Sequence, residues 1–146
     1  VIDTLQIAKS KLRLPSNRLD SIGEYFGLGR KTKTEGIRLW AKVQEGNTLS
    51  MQDMVTYCKQ DVNLLYEVYL RLRALGTSGT MFNASHYLED NEVHCKVCGS
   101  TNLVITKKKY YTQKGAYEEV LCLDCGHSAR TTENVMPADK RNSLLV

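Results

Sequence analysis

Over residues 50–76, SMQDMVTYCKQDVNLLYEVYLRLRALG, Met54, Cys58, Asp61, Leu65, Val68 and Leu72 recur at alternating steps of four and three. That spacing draws one stripe along an α-helix. It predicts a long helix capped by Ser50 with Asp53 three residues on, closed by Gly76, and carrying Arg71 and Arg73 near its negative end. One member of the stripe is not apolar. Asp61 puts a carboxylate where a core residue is expected, and Tyr57, one turn earlier, meets it on the same face. A shielded carboxylate needs a partner. It can be an arginine or a helix N-terminus, the Tyr57 hydroxyl, or a divalent cation, for which a carboxylate is a hard oxygen ligand.

The pattern upstream is also helical. Residues 1–12 read as the end of a short strand, Val1-Ile2-Asp3-Thr4, running into a helix that Pro15 breaks. Ser16 or Asn17 can cap a second helix with Leu19, Ile22 and Phe26 on one face, ended by Gly27 and Gly29. Residues 35–44 predict a third, with Ile37, Trp40 and Ala41 inward and Gly46-Asn47 closing it. Trp40 is read as core rather than as a stacking surface for bases. Between these helices Arg30-Lys31-Thr32-Lys33-Thr34 is a basic loop. It suits a phosphate contact or a solvated connector.

After residue 76 the helical period is lost. Residues 77–92 carry glycines and small polar residues and read as a linker, with a short turn near Met81-Phe82. In 93–131 the sequences Cys95-Lys96-Val97-Cys98-Gly99 and Cys122-Leu123-Asp124-Cys125-Gly126 are near-identical, 23 residues apart. Between them Leu103-Val104-Ile105-Thr106 and Tyr110-Tyr111-Thr112 favour strand, Lys114-Gly115-Ala116 can turn, and Glu118-Glu119-Val120-Leu121 can return. The paired spacing predicts a zinc ribbon in which Cys95, Cys98, Cys122 and Cys125 close a tetrahedral site. A closed four-thiolate site has no open position, so this zinc is structural. His94 and His127 adjoin the knuckles but are not needed as ligands. Lys107, Lys108 and Lys109 followed by Tyr110 mix phosphate-binding charge with a stacking ring, or protect an edge strand. Residues 132–146 read as a tail.

Composition narrows the class. The chain has 146 residues, 42% hydrophobic and 25% charged, and a formal net charge of +4, which permits nucleic acid without demanding it. No apolar run approaches a membrane span. Five cysteines, four in Cys-x-x-Cys pairs, point to a metal and a reducing, intracellular compartment rather than to disulfides.

Tyr57-Cys58-Lys59-Gln60-Asp61 resembles the Tyr-x-x-x-Asp third motif of DEDD-type 3′–5′ exonucleases. Upstream, Ile2-Asp3-Thr4, then Asn17-Arg18-Leu19-Asp20-Ser21-Ile22-Gly23-Glu24-Tyr25-Phe26-Gly27-Leu28-Gly29, then Lys31 and Lys33, are similar to the segment before that motif in the proofreading exonucleases of family B DNA polymerases and their stand-alone phage and bacterial relatives. The likeness covers about residues 1–75. It implies an α/β chain: the helical C-terminal part of a ribonuclease H-like fold over 1–76, plus the small β zinc ribbon. It implies Tyr57 and Asp61 as catalytic residues, with Asp61 binding Mg²⁺ or Mn²⁺ and Tyr57 orienting the attacking water. Arg30, Lys31, Lys33, Lys107, Lys108, Lys109 and Tyr110 become candidate contacts to nucleic acid, expected to be a single-stranded DNA 3′ end, in a cytoplasmic setting of phage or bacterial origin. The family's Asp-x-Glu pair is missing: Leu5 stands where the glutamate belongs. The expectation is therefore a C-terminal piece of a nuclease whose first motifs lie upstream or on a companion chain, with that missing half or a replication protein as a partner. The alternative is a non-catalytic module that binds nucleic acid or a partner on a degenerate nuclease fold.

Overall fold

The first helix begins where Asp3 can cap it. In the computed structural model, which describes residues 2–32, 34–76 and 81–144, α1 (Thr4–Lys11) starts with the Asp3 carboxylate accepting from the amides of Leu5 (2.9 Å) and Gln6 (3.3 Å). That capping commits the backbone to a helix, so the expected strand is not formed at Ile2 or Asp3; Val1 lies outside the described residues. Ile7 and Ala8 are fully buried.

In α2 (Leu19–Tyr25) the N-cap position falls to Arg18 rather than to Ser16 or Asn17. Ser16 Oγ accepts from the Arg18 amide instead, which fixes the approach to the helix from outside. Gly27 ends it at φ 70°, with the Gly27 amide bonded to the Glu24 carbonyl and the Leu28 amide to that of Gly23. This left-handed stop is one that glycine adopts without strain. Gly23 is required for space. A Cβ there would lie 2.8 Å from the Gly29 carbonyl oxygen and 2.9 Å from Leu64 Cδ1. Leu64 can rotate aside, but the carbonyl is backbone. Gly23→Ala is expected to destabilise the helical unit by about 1–3 kcal/mol, read as a lower melting temperature; an unchanged melt would mean the 27–29 turn yields freely.

Gly36, at φ 61°, leads into α3 (Ile37–Gln44) and sets its phase. Leu39 is buried and Val43 half-buried, whereas Ile37 and Trp40 are 85% and 57% exposed and Ala41 is exposed. The inward face is thus rotated from the one expected, and Trp40 is a surface residue. The long helix α4 (Thr48–Leu72) starts two residues before Ser50. Asn47 Oδ1 accepts from the Ser50 amide (3.0 Å), and Ser50 itself is buried one turn in. Its inward stripe runs Ser50, Met54, Tyr57, Asp61, Leu64, Val68, Leu72; Cys58 and Leu65 lie outside it, exposed. The helices α1, α2 and α3 all contact α4, and the core is Ile7, Ala8, Ile22, Leu39, Met54, Val68 and Leu72.

The chain divides into two compact units after Leu72. The second opens with a 3-10 turn, Arg73–Leu75. Gly76 is not in a left-handed conformation as its stop role implied; a Cβ there would collide with Met81 Cγ at 2.1 Å. Within the stretch read as a linker, Ala84–Tyr87 forms another 3-10 turn capped by Asn83, and the Ala84 amide bonds to the Lys96 carbonyl (2.7 Å). A three-stranded antiparallel sheet follows in the order β1 (Leu103–Thr112), β2 (Gly115–Cys122), β3 (Ser128–Arg130). β1 is continuous where two runs were expected, with a register shift between Ile105 and Lys109. Beyond β3 the chain stays on β2. Asn134 Oδ1 accepts from the Ala116 amide (3.2 Å) and the Val135 amide donates to the Ala116 carbonyl (2.8 Å) before a short helix α5 (Ala138–Asn142).

Candidate metal centre

The two knuckles repeat one another bond for bond. The Cys95 amide donates to the Ser100 carbonyl (2.8 Å) and the Cys122 amide to that of His127 (2.9 Å). The Gly99 amide returns to the Cys95 carbonyl (2.8 Å) and that of Gly126 to Cys122 (2.9 Å). Both glycines sit at positive φ, 75° and 73°, which is why each Cys-x-x-Cys ends in glycine. The turns bring the four thiols together: Cys95 and Cys125 Sγ are 3.6 Å apart, as are Cys98 and Cys122, and all four sulfurs lie within 4.8 Å of one another. Tetrahedral zinc with Zn–S bonds of about 2.3 Å places its sulfurs ~3.8 Å apart, whereas a disulfide needs about 2.05 Å. The donor set and its spacing fit a metal ion such as zinc, and the cluster is the core of its unit: Cys95, Val97 and Cys122 are buried with Met81, Cys98, Leu103 and Cys125 packed around them.

Residues that the sequence did not single out hold the knuckles in place. Asp124 accepts from Ser100 Oγ (2.6 Å) and Asn102 Nδ2 (2.8 Å), tying one knuckle to the other and holding its carboxyl below the usual range. Only the recurrence of polar residues beside the cysteines could have hinted at it. His94 is oriented by the Gly99 carbonyl at Nδ1 and by Asp90 at Nε2. His127 donates from Nδ1 to the Ala74 carbonyl (2.8 Å). Neither histidine belongs to the thiol cluster. Burial pushes the thiols of Cys98 and Cys125 up. Burial opposes ionisation of Cys122 too, but hydrogen bonds from the Cys125 and Asp124 amides and from neighbouring thiols bring it down to about 7.

In the helical unit, Asp61 has a partner of a kind not expected. Lys31 Nζ lies 2.6 Å from its carboxylate and 5.8 Å from the centre of the Tyr57 ring. The hydrogen bond to Asp61 raises Lys31 above the ordinary lysine value. Thr32 bonds to Gln60, so the basic loop is fastened to α4 at two neighbouring points. Arg30 pairs with Glu24, and Lys33 lies outside the described residues. Tyr57 lines an open cleft of about 290 Å³ with Thr32, Ser50, Asp53 and Gln60. Among the described residues the four cysteines are the one group of three or more metal-ligating side chains gathered at metal distance. The residues around Asp61 therefore do not by themselves make up a two-ion carboxylate site.

The basic run of the ribbon is exposed throughout, but it is split by the sheet. Lys109 lies opposite Glu118, and Tyr110 opposite Tyr117 on the other face. Comparison with known protein families, curated proteins and solved structures finds no match. Among the described residues no helix is long and apolar enough to cross a membrane.

Proposed function

We propose that this chain is the C-terminal portion of a metal-dependent 3′–5′ exonuclease followed by a ribbon held by structural zinc. The supporting observation is the placing of Tyr57 and Asp61. They stand one turn apart on the inward stripe of α4, yet the Asp61 side chain is 23% exposed and Tyr57 lines an open cleft. Asp61 would supply one carboxylate to a divalent ion, and Tyr57 a hydroxyl to orient water, as the resemblance implies. The other carboxylates would come from outside this chain. One observation favours the non-catalytic reading: the charge of Asp61 is already met by Lys31, as a degenerate site would arrange.

The 146-residue chain with Mg²⁺ or Mn²⁺ is expected to leave a 5′-labelled single-stranded oligonucleotide intact, because one acid cannot position two ions. Joined to an upstream segment carrying Asp-x-Glu on a strand, it is expected to shorten that strand from the 3′ end. A joined protein that binds the strand and never cuts it would leave the binding module as the function.

A further inference from the structure

Directly opposed residues of an antiparallel pair share a face of the sheet, and so do residues two apart on one strand. Tyr110 of β1 lies opposite Tyr117 of β2; Glu119, two residues on, lies opposite Arg130 of β3. One face therefore carries Tyr110, Tyr117, Glu119 and Arg130 across all three strands. The Arg130 guanidinium sits 3.9 Å from the centre of the Tyr117 ring, a stacked cation–π contact. Tyr110 is half exposed, and Arg130 is exposed. Glu119 is already satisfied, accepting from Thr106 Oγ1 and Ser128 Oγ, each at 2.7 Å. These bonds, with the nearby charge of Lys108, hold its carboxyl below the usual range. Lys108, two residues before Tyr110 on β1, is exposed in the irregular stretch between Ile105 and Lys109. The face thus carries two rings and a cation of β3, with a lysine of β1 next along the strand.

We infer that this face of the ribbon binds single-stranded nucleic acid, with bases stacked on Tyr110 and against the Tyr117–Arg130 stack and phosphates held by Lys108 and Arg130. A duplex keeps its bases stacked within itself and would offer these rings nothing. An acidic peptide would meet the cations but leave the rings idle. The inference rests on the proposed function only for the class of substrate. Binding is read without turnover, so either can fail alone.

The test is fluorescence anisotropy of the zinc-loaded chain with labelled oligo-dT and oligo-U strands and with a duplex, in the absence of Mg²⁺ and Mn²⁺. At least one strand is expected to bind more tightly than the duplex. Tyr110→Ala is expected to weaken strand binding on the order of tenfold, and Tyr110→Phe to keep it, since the ring and not the hydroxyl stacks. Lys108→Ala with Arg130→Ala should lower the slope of log affinity against log salt by about 1.4. Zinc content and melting identify a misfolded variant; if Tyr110→Ala misfolds, the salt slope carries the test. Wild-type affinity in Tyr110→Ala, an unchanged slope, a preference for duplex, or no strand binding at all would each overturn the inference.

Discussion

Stripping the metal is expected to unfold the ribbon unit while the helices of the first unit persist. The reason is what each core is made of. The helical unit buries Ile7, Ile22, Leu39, Met54, Val68 and Leu72, and full burial of such side chains is worth about 1.5–3 kcal/mol each. Among the described residues of the ribbon unit the buried apolar ones are Cys95, Val97, Ala116 and Cys122, two of which belong to the thiol cluster. So small a core cannot offset the ordering of its strands, whereas structural zinc contributes on the order of 10–16 kcal/mol. A strong chelator should abolish the sheet signal in circular dichroism and retain the helical one. A thiol reagent should then modify all five cysteines, where the loaded protein offers chiefly the exposed Cys58. Cys122→Ser should act in the same direction. Protons compete with the metal for the thiolates, so zinc affinity is expected to fall as pH drops. A ribbon that keeps its sheet with four metal-free thiols would end the structural-zinc reading.

The knuckles were legible because their cause is local. Two thiols, a two-residue spacer and a glycine at positive φ define each turn, and the same five-residue pattern occurs twice. The four helices of the first unit were legible in number and only partly in phase, and the short α5 lies in the stretch read as a tail. On α2, Leu19, Ile22 and Phe26 do turn inward, and on α4 Met54, Asp61, Val68 and Leu72 keep their place in the stripe, but where Cys58 and Leu65 looked inward by hydropathy it runs through Tyr57 and Leu64, one residue earlier. What decides between neighbouring positions is where α1, α2 and α3 contact the helix, and periodicity carries none of that. Trp40 failed for the same reason. Its helix starts at Ile37 behind Gly36, and that entry turns Leu39 inward and leaves the larger ring outside. Lys31 as the partner of Asp61 is a contact across 30 positions of sequence, which no local signal could announce. Asp124 and Asn134 are long-range ties of the same sort, each bonding atoms of a distant strand or turn.

Asp61→Asn is expected to cost little stability and, in a protein supplied with the upstream acids, nearly all activity. The stability side follows from exposure. The Lys31 and Asp61 side chains are 34% and 23% exposed, so water screens the pair, and its loss should cost about 1 kcal/mol or less. A fully buried pair broken on one side would cost roughly 3–5 kcal/mol. Asparagine also keeps an oxygen that Lys31 can donate to. The pH dependence has a fixed sign. Lys31 is held above its unfolded value by the bond to Asp61, so its contribution is complete at neutral pH and is lost only as alkaline pH passes through that raised value. The melting difference between wild type and Asp61→Asn should therefore be flat around neutrality and shrink in strong alkali. The activity side follows from charge: the asparagine amide cannot replace a carboxylate beside a divalent ion. Tyr57→Phe should keep the fold and lower the rate less, because it removes one positioning hydroxyl and no ligand. Melts and turnover on a single-stranded substrate, taken side by side, separate the roles. If Asp61→Asn loses several kcal/mol of stability yet still cuts at low temperature, Asp61 serves the fold alone and the exonuclease reading falls.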